Sequence, residues 1–328
     1  MQDTLLDRTV AAGRGASARR IPLSFGLIVP TLNAADRFRN WLEALAHQTL
    51  QPQRCLVVDS GSRDSTVALA LQFGLDVQPL GRCTFSHGGT RQAALQMLPD
   101  VDVVVFMTQD AILADRQSLA ALMKAFDDQL VAAAYGRQLP RAEADPIEAH
   151  ARLFNYPASS HRRGLADVIQ LGFKLCFISN AYAAWRTEAV AAAGGFPSAA
   201  VQSEDAFLAA RLILSGYTIA YCADATVFHS HGLSTSAEAR RYFDTGVFHA
   251  RHPWIRQAFG SAEREGLRFV KSELAFLKDR RPSLIPVALL RDAVRLAAFR
   301  LGRMERNLPV AIKRRISANQ GFWERESS

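Results

Sequence analysis

A succession of apolar strand, polar turn and helix, repeated three times, constrains the fold of this chain more than any other feature. The apolar runs Leu23 to Val29, Cys55 to Val58 and Val101 to Met107 are each followed by a segment with helical spacing. Apolar strands that alternate with helices are typical of a parallel sheet with helices on both faces. The pattern therefore predicts an α/β fold built on a mostly parallel sheet.

A polar cluster closes each of these three strands. Thr31 follows the first strand, Asp59 the second and Asp110 the third. Asn33, in the first cluster, is the expected N-cap of the helix that follows. Because ligands of such sheets bind at the carboxyl ends of the strands, we expect these side chains to share one ligand-binding edge.

The later part of the chain is less regular. After a helix expected over Gln117 to Leu130, residues 137–170 have no clear period and are expected to form a surface excursion. The pattern then predicts a strand region over Phe173 to Arg186 and a helix over Glu204 to Leu214. A final strand is predicted from Tyr217 to Phe228.

The positive charge of the chain is concentrated at its C-terminal end. Of a net charge of +8, residues 264–328 hold 15 Lys and Arg against 7 Asp and Glu, and residues 1–263 hold 24 of each. A nucleic-acid-binding core is expected to carry its own basic surface. The neutrality of the first 263 residues therefore argues against a nucleic-acid partner.

A basic amphipathic helix is predicted from Pro286 until Pro309 ends it. Its apolar positions follow the spacing of about three heptads, and its arginines lie on a different face. Such a helix suits an anionic membrane surface or pairing with a second copy of the chain through residues 286–308. The apolar positions are Val287, Leu290, Val294, Ala297, Leu301, Met304 and Leu308, and the arginines are Arg291, Arg295, Arg303 and Arg306.

Cysteine usage and the N-terminus indicate the compartment. The four cysteines, Cys55, Cys83, Cys176 and Cys222, form no CxxC pair, which argues against structural zinc and disulfides and fits a reducing compartment. The first 20 residues carry no signal-peptide pattern and are expected to be flexible. No apolar stretch approaches the roughly 18 residues that a membrane span needs. We expect a cytoplasmic protein.

Asp59 begins the sequence Asp-Ser-Gly-Ser and is the first candidate ligand-binding residue. Its carboxylate can accept hydrogen bonds from a nucleobase or a ribose, while Gly61 and Ser62 leave room for a ligand to approach. An Asx-type turn that caps the next helix explains the same residues equally well.

Asp110 and His229 are candidate metal ligands. Asp110 directly follows an apolar strand and can bind a divalent ion that also binds phosphate oxygens, although a turn residue is the simpler alternative. His229 ends another strand and could complete the ligand set. His231 points the same way as His229, so one of the two can be a hydrogen-bonding partner only.

Two further segments carry residues suited to chemistry. Glu204 and Asp205 open a helix, where acidic residues complement the helix dipole, and a carboxylate there can also serve as a general base if it lies in a cleft. The run from Ser86 to Arg91 combines two glycines with His and Arg, which suits phosphate binding by backbone amides and a positive charge.

Together and in this order, these motifs closely resemble the inverting nucleotide-sugar glycosyltransferases of family 2. That family has the GT-A fold, a Rossmann-like mostly parallel sheet with helices on both faces. The resemblance covers residues 21–255, leaving 1–20 as a flexible N-terminus and 256–328 as a basic helical extension, and it is strongest for bacterial rhamnosyltransferases. The motifs are Pro30-Thr31-Leu32-Asn33, Asp59-Ser60-Gly61-Ser62 with Asp64 and Thr66, Phe85 to Arg91, Thr108 to Ala111, Gly194-Gly195-Phe196, Glu204-Asp205 and His229 to His231.

The resemblance implies roles for residues on the donor side. Thr31, Asp59 and Ser62 match positions that hold the base and ribose of the nucleotide. Arg91 is expected to approach the diphosphate, and Asp110 belongs to the same nucleotide-sugar site.

The resemblance also implies a divalent metal, Mg²⁺ or Mn²⁺, and a catalytic base. Asp110 matches the last carboxylate of the family's metal-binding Asp-x-Asp, in which Thr108 replaces the first, and His229 matches the late metal-contacting histidine. Asp205 matches the catalytic base. The residues placed on the acceptor side are Glu204 and Trp185.

The leading hypothesis is a metal-assisted inverting transferase that acts in cell-surface polysaccharide synthesis. The first guess for its donor is dTDP-L-rhamnose, and its acceptor would be a saccharide or a lipid-linked saccharide. A lipid-linked acceptor would bring the enzyme to the inner face of the cell membrane as a peripheral protein. The alternatives are a nucleotidyltransferase and, from a different class, a non-catalytic protein for sugar-nucleotide binding or assembly.

Overall fold

The computed structural model describes residues 23–81, 86–230, 232–260 and 263–326. The N-terminal residues 1–20, Cys83, Phe85 and His231 lie outside this part of the chain. The strands are β1 Phe25–Thr31, β2 Arg54–Asp59, β3 Asp76–Pro79, β4 Val103–Met107, β5 Ile112–Leu113, β6 Val131–Leu139, β7 His161–Arg163, β8 Tyr182–Arg186 and β9 Thr218–Phe228. The helices are α1 Ala35–Ala46, α2 Thr66–Gln72, α3 His87–Gln96, α4 Ser118–Met123, α5 Pro146–Asn155, α6 Val168–Leu171, α7 Thr187–Ala192, α8 Glu204–Leu214, α9 Thr235–Arg251, α10 Pro253–Phe259, α11 Glu263–Arg280, α12 Ile285–Arg303, α13 Val310–Ile316 and α14 Gln320–Glu326.

The described strands form one mixed sheet in the order β3-β2-β1-β4-β8-β6-β9-β5, with β7 also paired to β9. β1 pairs in parallel with β2 and β4, and β6 pairs in parallel with β9. β8 is antiparallel to both of its neighbours, β4 and β6. The α/β fold is confirmed, and the reversed strand β8 places its N-terminal end beside the carboxyl ends of β4 and β6.

The sheet has an apolar core on each face because side chains alternate along its strands. Ile28 and Phe106 belong to one core, which α3, α7 and α8 cover. Val29 and Val105 belong to the other, which α1, α2 and α4 cover. The central strands are therefore apolar throughout, as a sheet covered on both faces requires.

Three local predictions differ from the structure. The predicted strand region Phe173 to Arg186 becomes a strand only at β8, because the Arg163 guanidinium binds the carbonyls of Lys174 and Phe177, each at 2.7 Å. The helix predicted over Gln117 to Leu130 is α4 followed by a 3₁₀ turn. Asn33 does not cap α1, since its φ is +48° and its side-chain oxygen accepts from Arg63 N instead.

The helix predicted near the C-terminus is α12, and it packs against α9 at two glycines. A Cβ on Gly246 would lie 2.1 Å from the carbonyl oxygen of Phe299, and one on Gly302 would lie 2.0 Å from that of Phe243. No side chain fits at such distances, so the crossing requires glycine on both helices. Among the described residues, no helix has both the length and the apolar character needed to cross a membrane.

Two of the four predicted arginines, Arg291 and Arg295, lie on the face of α12 that packs inward, together with Ala288 and Gly302, whereas Arg303 and Arg306 are exposed. Arg295 is buried and its Nη2 lies 2.7 Å from Glu238 Oε1, while Arg291 Nε lies 3.1 Å from the other oxygen of Glu238. Because ion pairs satisfy these arginines inside the fold, the apolar positions face outward. Leu290 and Met304 are exposed.

Candidate active site

The loops that follow β1 and β2 are joined through the carboxylate of Asp59. Its Oδ1 accepts from the hydroxyls of Thr31, at 2.9 Å, and Ser62, and its Oδ2 accepts from the amides of Gly61 and Ser62 at 3.0 and 2.8 Å. Burial alone would raise the pKa of Asp59, but these hydrogen bonds outweigh burial and lower it. Asp59 is thus an ionised carboxylate that shapes the turn, and its contact with a nucleotide stays a prediction.

Further hydrogen bonds connect the three loops at this edge. Ser62 Oγ accepts from Asn33 N at 2.8 Å, and Asp64 accepts from the amides of Ala35 and Thr66 at 3.0 Å each. The Gln109 side chain, in the loop after β4, bonds both the amide and the carbonyl of Leu32. The structure therefore brings together the predicted nucleotide-binding residues Thr31, Asp59 and Ser62 with the loop that carries Asp110.

Asp110 and His229 meet at the same edge, with His229 Nε2 3.4 Å from Asp110 Oδ2. Gln138 Oε1 lies 2.6 Å from Arg152 Nη1, which can only donate, and 2.7 Å from His229 Nδ1. Since this oxygen can only accept, His229 Nδ1 carries the proton and Nε2 holds the lone pair. Burial lowers the pKa of His229, although Asp110 opposes this, so the ring is neutral near pH 7. A neutral imidazole beside a carboxylate is the donor pair that a divalent cation takes.

Asp110 and His229 would supply two protein ligands to a cation. Within residues 23–81, 86–230, 232–260 and 263–326, no group of three or more His, Cys, Asp or Glu side chains could hold a metal ion. Thr108, in place of a carboxylate, buries its hydroxyl. A cation at Asp110 and His229 would therefore take its other oxygens from a bound diphosphate or water.

Cationic side chains surround the same pair. Arg141 Nη2 donates to the backbone carbonyl of Asp110 at 2.6 Å. Arg152 donates to the Gln138 oxygen that also binds His229 Nδ1. The charges of Arg152 and Arg241 add to the effect of burial in lowering the pKa of His229. The neighbourhood is therefore rich in positive charge and suits an anionic ligand.

Glu204 and Asp205 are the first two residues of α8. The preceding residue, Ser203, has φ +61°, a strained conformation for a residue other than glycine. Glu204 is buried, and its Oε1 lies 2.8 Å from Arg91 Nη1 and 3.2 Å from Asn180 Nδ2. The pKa of Glu204 is lowered because Arg91 and His87 outweigh the effect of burial.

Asp205 is partly exposed, and its oxygens accept from the amides of Asn180 at 3.2 Å and Ala206 at 2.8 Å. Desolvation, together with the negative charge of Glu204, raises the pKa of Asp205 to about 7. A partly exposed carboxylate with such a pKa is suited to accept a proton at physiological pH.

Three predicted side chains take different positions from those expected. Arg91 is buried against Glu204 and the carbonyl of His87, at 3.1 Å, so its guanidinium is already paired and does not lie open to a diphosphate. Trp185 is fully buried in β8, where its Nε1 donates to Asn180 Oδ1 at 2.8 Å, and it cannot contact an acceptor. Glu204 is likewise buried, and its charge is paired with Arg91.

Sequence reasoning missed Gln138 and Asn180. Gln138 is the polar residue near the carboxyl end of the apolar strand β6, so the strand-end rule that selected Asp110 could have found it. Asn180 precedes β8, whose reversed direction no local pattern reveals. Gln138 binds His229, and Asn180 binds Glu204 and Trp185, so both hold other site residues in place.

Comparison with known proteins agrees with this geometry. The sequence profile described as Glycosyl transferase family 2 matches residues 27–192. The chain belongs to glycosyltransferase family 2 and is a glycosyltransferase, as predicted.

Two relatives of this protein are O-antigen chain rhamnosyltransferases. It is 44% identical over 298 residues to the O-antigen chain rhamnosyltransferase RfbN of Salmonella typhimurium, covering 90% of this chain and 95% of that protein. It is also 44% identical over 301 residues to the O-antigen chain rhamnosyltransferase WbaN of Salmonella anatum, covering 92% and 96%.

Solved structures share the fold at lower sequence identity. The mannosyltransferase PcManGT from Pyrobaculum calidifontis, in complex with GDP-Man and Mn²⁺, has a TM-score of 0.56 and 19% identity, over 94% of this chain and 87% of that one. Glucosyl-3-phosphoglycerate synthase from Mycobacterium tuberculosis has a TM-score of 0.50 and 16% identity, over 73% of this chain and 80% of that one.

Proposed function

We propose that the protein transfers L-rhamnose from dTDP-L-rhamnose to a saccharide acceptor during synthesis of a cell-surface polysaccharide. The 44% identity to two O-antigen rhamnosyltransferases over nine-tenths of the chain supports the sugar and the pathway. The observation that carries the chemistry is Asp205, a partly exposed carboxyl group whose pKa is raised to about 7. Its Oδ2 accepts from Asn180 N, just before the end of β8 that pairs with the carboxyl end of β4.

Asp205 acts as the general base. It takes the proton from an acceptor hydroxyl, whose oxygen forms a bond to the anomeric carbon while the bond from that carbon to the diphosphate oxygen breaks on the opposite face. The electron pair leaves with the nucleoside diphosphate, and the anomeric configuration is inverted. The backbone amides of Asn180 and Ala206 hold the carboxylate. Desolvation and the negative charge of Glu204 raise the pKa of Asp205, against the opposing charge of Arg91.

Asp110 and His229 fit a divalent cation, Mg²⁺ or Mn²⁺, because Gln138 holds His229 with its Nε2 lone pair on the side of Asp110. When bound, such an ion stabilises negative charge on a leaving diphosphate. PcManGT, a structural neighbour, is described with Mn²⁺. Arg141 and Arg152 bring further positive charge to the same place, and Thr31 and Ser62 remain the proposed contacts to the nucleotide.

Donor turnover tests the proposed reaction. The full chain, with Mn²⁺ present, is incubated with dTDP-L-rhamnose, UDP-glucose or GDP-mannose, and the release of each nucleoside diphosphate is measured. We expect release from dTDP-L-rhamnose above the others, and loss of it in Asp110→Ala, which should also weaken metal-dependent dTDP binding in calorimetry. Preferred release from another donor would overturn the rhamnosyl assignment, and unchanged dTDP affinity in Asp110→Ala would overturn the metal site.

We also propose that the enzyme is peripheral at an anionic membrane surface, where a lipid-linked acceptor would lie. The outward face of α12, within the extension 256–328, presents apolar side chains that no described residue covers fully, with Leu290 64% and Met304 57% exposed. Arg300 and Arg306 are exposed beside this face. Basic residues near an anionic bilayer contribute about 1 kcal/mol each, so the charge of this region favours a membrane over a second copy carrying the same charge.

Vesicle sedimentation tests this surface. The full chain should sediment with phosphatidylglycerol vesicles and much less with phosphatidylcholine vesicles, and a Leu290→Asp, Leu301→Asp double variant should stay in the supernatant. Leu71→Asp, at a leucine on α2 that is 59% exposed, is the matched control and should bind as the wild type does. Equal binding by the double variant contradicts the proposal, and a dimer in ultracentrifugation that the double variant abolishes would assign the face to self-association.

A further inference from the structure

The C-terminal segment reaches back to the active site through a buried anchor. Asp244, on α9, is fully buried and accepts from Ser317 Oγ at 2.7 Å, Ala318 N at 3.0 Å and Asn319 Nδ2 at 3.1 Å. Just beyond, Trp323 is also fully buried, in a cluster with Val201, Phe243, Val247 and Phe322. Residues 317–323 are therefore a fixed part of the fold, held beside the loop that leads to α8.

Asn319 joins this anchor to the first turn of α3. Its Oδ1 lies 3.2 Å from His87 Nε2, although 232 positions separate the two residues in the sequence. Because Asn319 Nδ2 donates to Asp244, the amide orientation is fixed and the oxygen faces the imidazole. An oxygen there can only accept, so His87 Nε2 carries the proton and Nδ1 is the acceptor nitrogen of the ring.

His87 is linked through Arg91 to the proposed catalytic carboxylates. Its backbone carbonyl accepts from Arg91 Nη1 at 3.1 Å, and the same Nη1 lies 2.8 Å from Glu204 Oε1, next to Asp205. The packing around this turn leaves no slack, since a Cβ on Gly88 would lie 1.9 Å from the carbonyl oxygen of Pro197. A displaced His87 would therefore displace Arg91 and change the charge that sets the proton affinity of Asp205.

We infer that Asn319 is a positioning residue for the active site, which fixes the tautomer and orientation of His87 from the C-terminal end of the chain. This inference rests on the proposed glycosyl transfer, and it assigns the 256–328 extension a part in positioning the residues around the proposed base, Asp205. Removing the residue that orients a metal-binding imidazole through its second nitrogen commonly lowers metal affinity or activity by about 10- to 100-fold, and we expect an effect at the lower end of that range here.

Ring-nitrogen NMR and kinetics test the inference together. In the full-length wild type we expect the ¹⁵N shifts of His87, identified by their loss in His87→Gln, to show the Nε2-protonated tautomer. In Asn319→Ala we expect a mixture of tautomers and a kcat/KM for the donor at least tenfold lower. In a His87→Ala background, Asn319→Ala should cause no further loss, because the effect passes through the imidazole.

Ser317→Ala is the matched control: it removes the hydrogen bond to Asp244 and the one that Ser317 Oγ accepts from Asn319 N, but neither side-chain hydrogen bond of Asn319. It should lower the melting temperature while the His87 tautomer and kcat/KM stay near wild type. Equal kinetic losses in Ser317→Ala and Asn319→Ala, additive effects with His87→Ala, or an Nδ1-protonated wild type would each overturn the inference. The tautomer measurement needs no substrate, so a failure of the proposed donor remains distinguishable from a failure of this contact.

Discussion

The edge formed by Thr31, Asp59 and Ser62, which we propose binds the nucleotide, and the pocket at the start of α8 both enclose carboxylates, but with opposite effects on their pKa values. Asp59 accepts four hydrogen bonds from neutral donors, and its pKa is lowered. Asp205 shares its pocket with Glu204 and one paired cation, Arg91, and its pKa is raised to about 7. Hydrogen bonds from neutral donors keep Asp59 ionised, whereas desolvation and the negative charge of Glu204 leave Asp205 partly protonated near neutrality.

Replacing Asp205, the proposed base, should have the largest effect, and we expect that effect on the rate of transfer. Asp205→Asn keeps the shape of the side chain but cannot accept a proton, so we expect transfer to fall by about 10²–10⁴-fold. Nucleotide affinity should be unchanged, because Asp205 does not line the nucleotide edge. Steady-state turnover and dTDP calorimetry measure the two quantities, and near wild-type turnover would remove Asp205 from its role.

Breaking the buried ion pair should have the next largest effect, this time on stability. Arg91→Met leaves the Glu204 carboxylate buried without its cation, for which about 3–5 kcal/mol of lost unfolding free energy is typical. The double variant Arg91→Met, Glu204→Met should recover much of the loss because no buried charge remains. Denaturant unfolding measures each variant, and strictly additive losses would contradict a direct pairing.

The shared pocket also predicts the pH dependence of the reaction. Since Asp205 must be deprotonated to act as base, kcat/KM should rise about tenfold per pH unit below pH 7 and level off above it. Glu204→Gln removes the negative charge that raises the Asp205 pKa, so the acid limb should move to lower pH. A profile that stays in place in Glu204→Gln would show that another group titrates.

The two regions also differ in how far the sequence predicts them. The nucleotide edge follows from local rules: Thr31, Asp59 and Asp110 close apolar strands, and parallel strands bring their ends together. The pocket depends on contacts between distant segments, so the burial of Trp185 and the pairing of Arg91 with Glu204 could not be predicted from spacing.

The C-terminal helix shows the same limit. Its start follows from Pro286, but α12 ends at Arg303, before the predicted end at Pro309, and which face points inward depends on α9. The predicted arginines at 291 and 295 find their counterion in Glu238, and Gly246 lets the backbones approach. Periodicity predicts that a helix is amphipathic, but the side chains of the helix it packs against decide which face is buried.

The smallest expected effect is that of replacing Thr31, and it distinguishes the contribution of a hydrogen bond to Asp59 from that of side-chain packing. Thr31→Val keeps the side-chain volume and removes one of the four hydrogen bonds to Asp59, which should lower the free energy of unfolding by about 1.5 kcal/mol at neutral pH. Because the folded pKa of Asp59 lies below 3.8, this stabilisation is present above that pH and is lost as the pH falls through the folded value. The difference between Thr31→Val and the wild type should therefore shrink below about pH 4. Thr31→Ser, which keeps the hydroxyl, should show no such pH dependence in its difference from the wild type. A Thr31→Val deficit of the same size at low and neutral pH would mean that lost packing, and not the hydrogen bond to an ionised carboxylate, accounts for it.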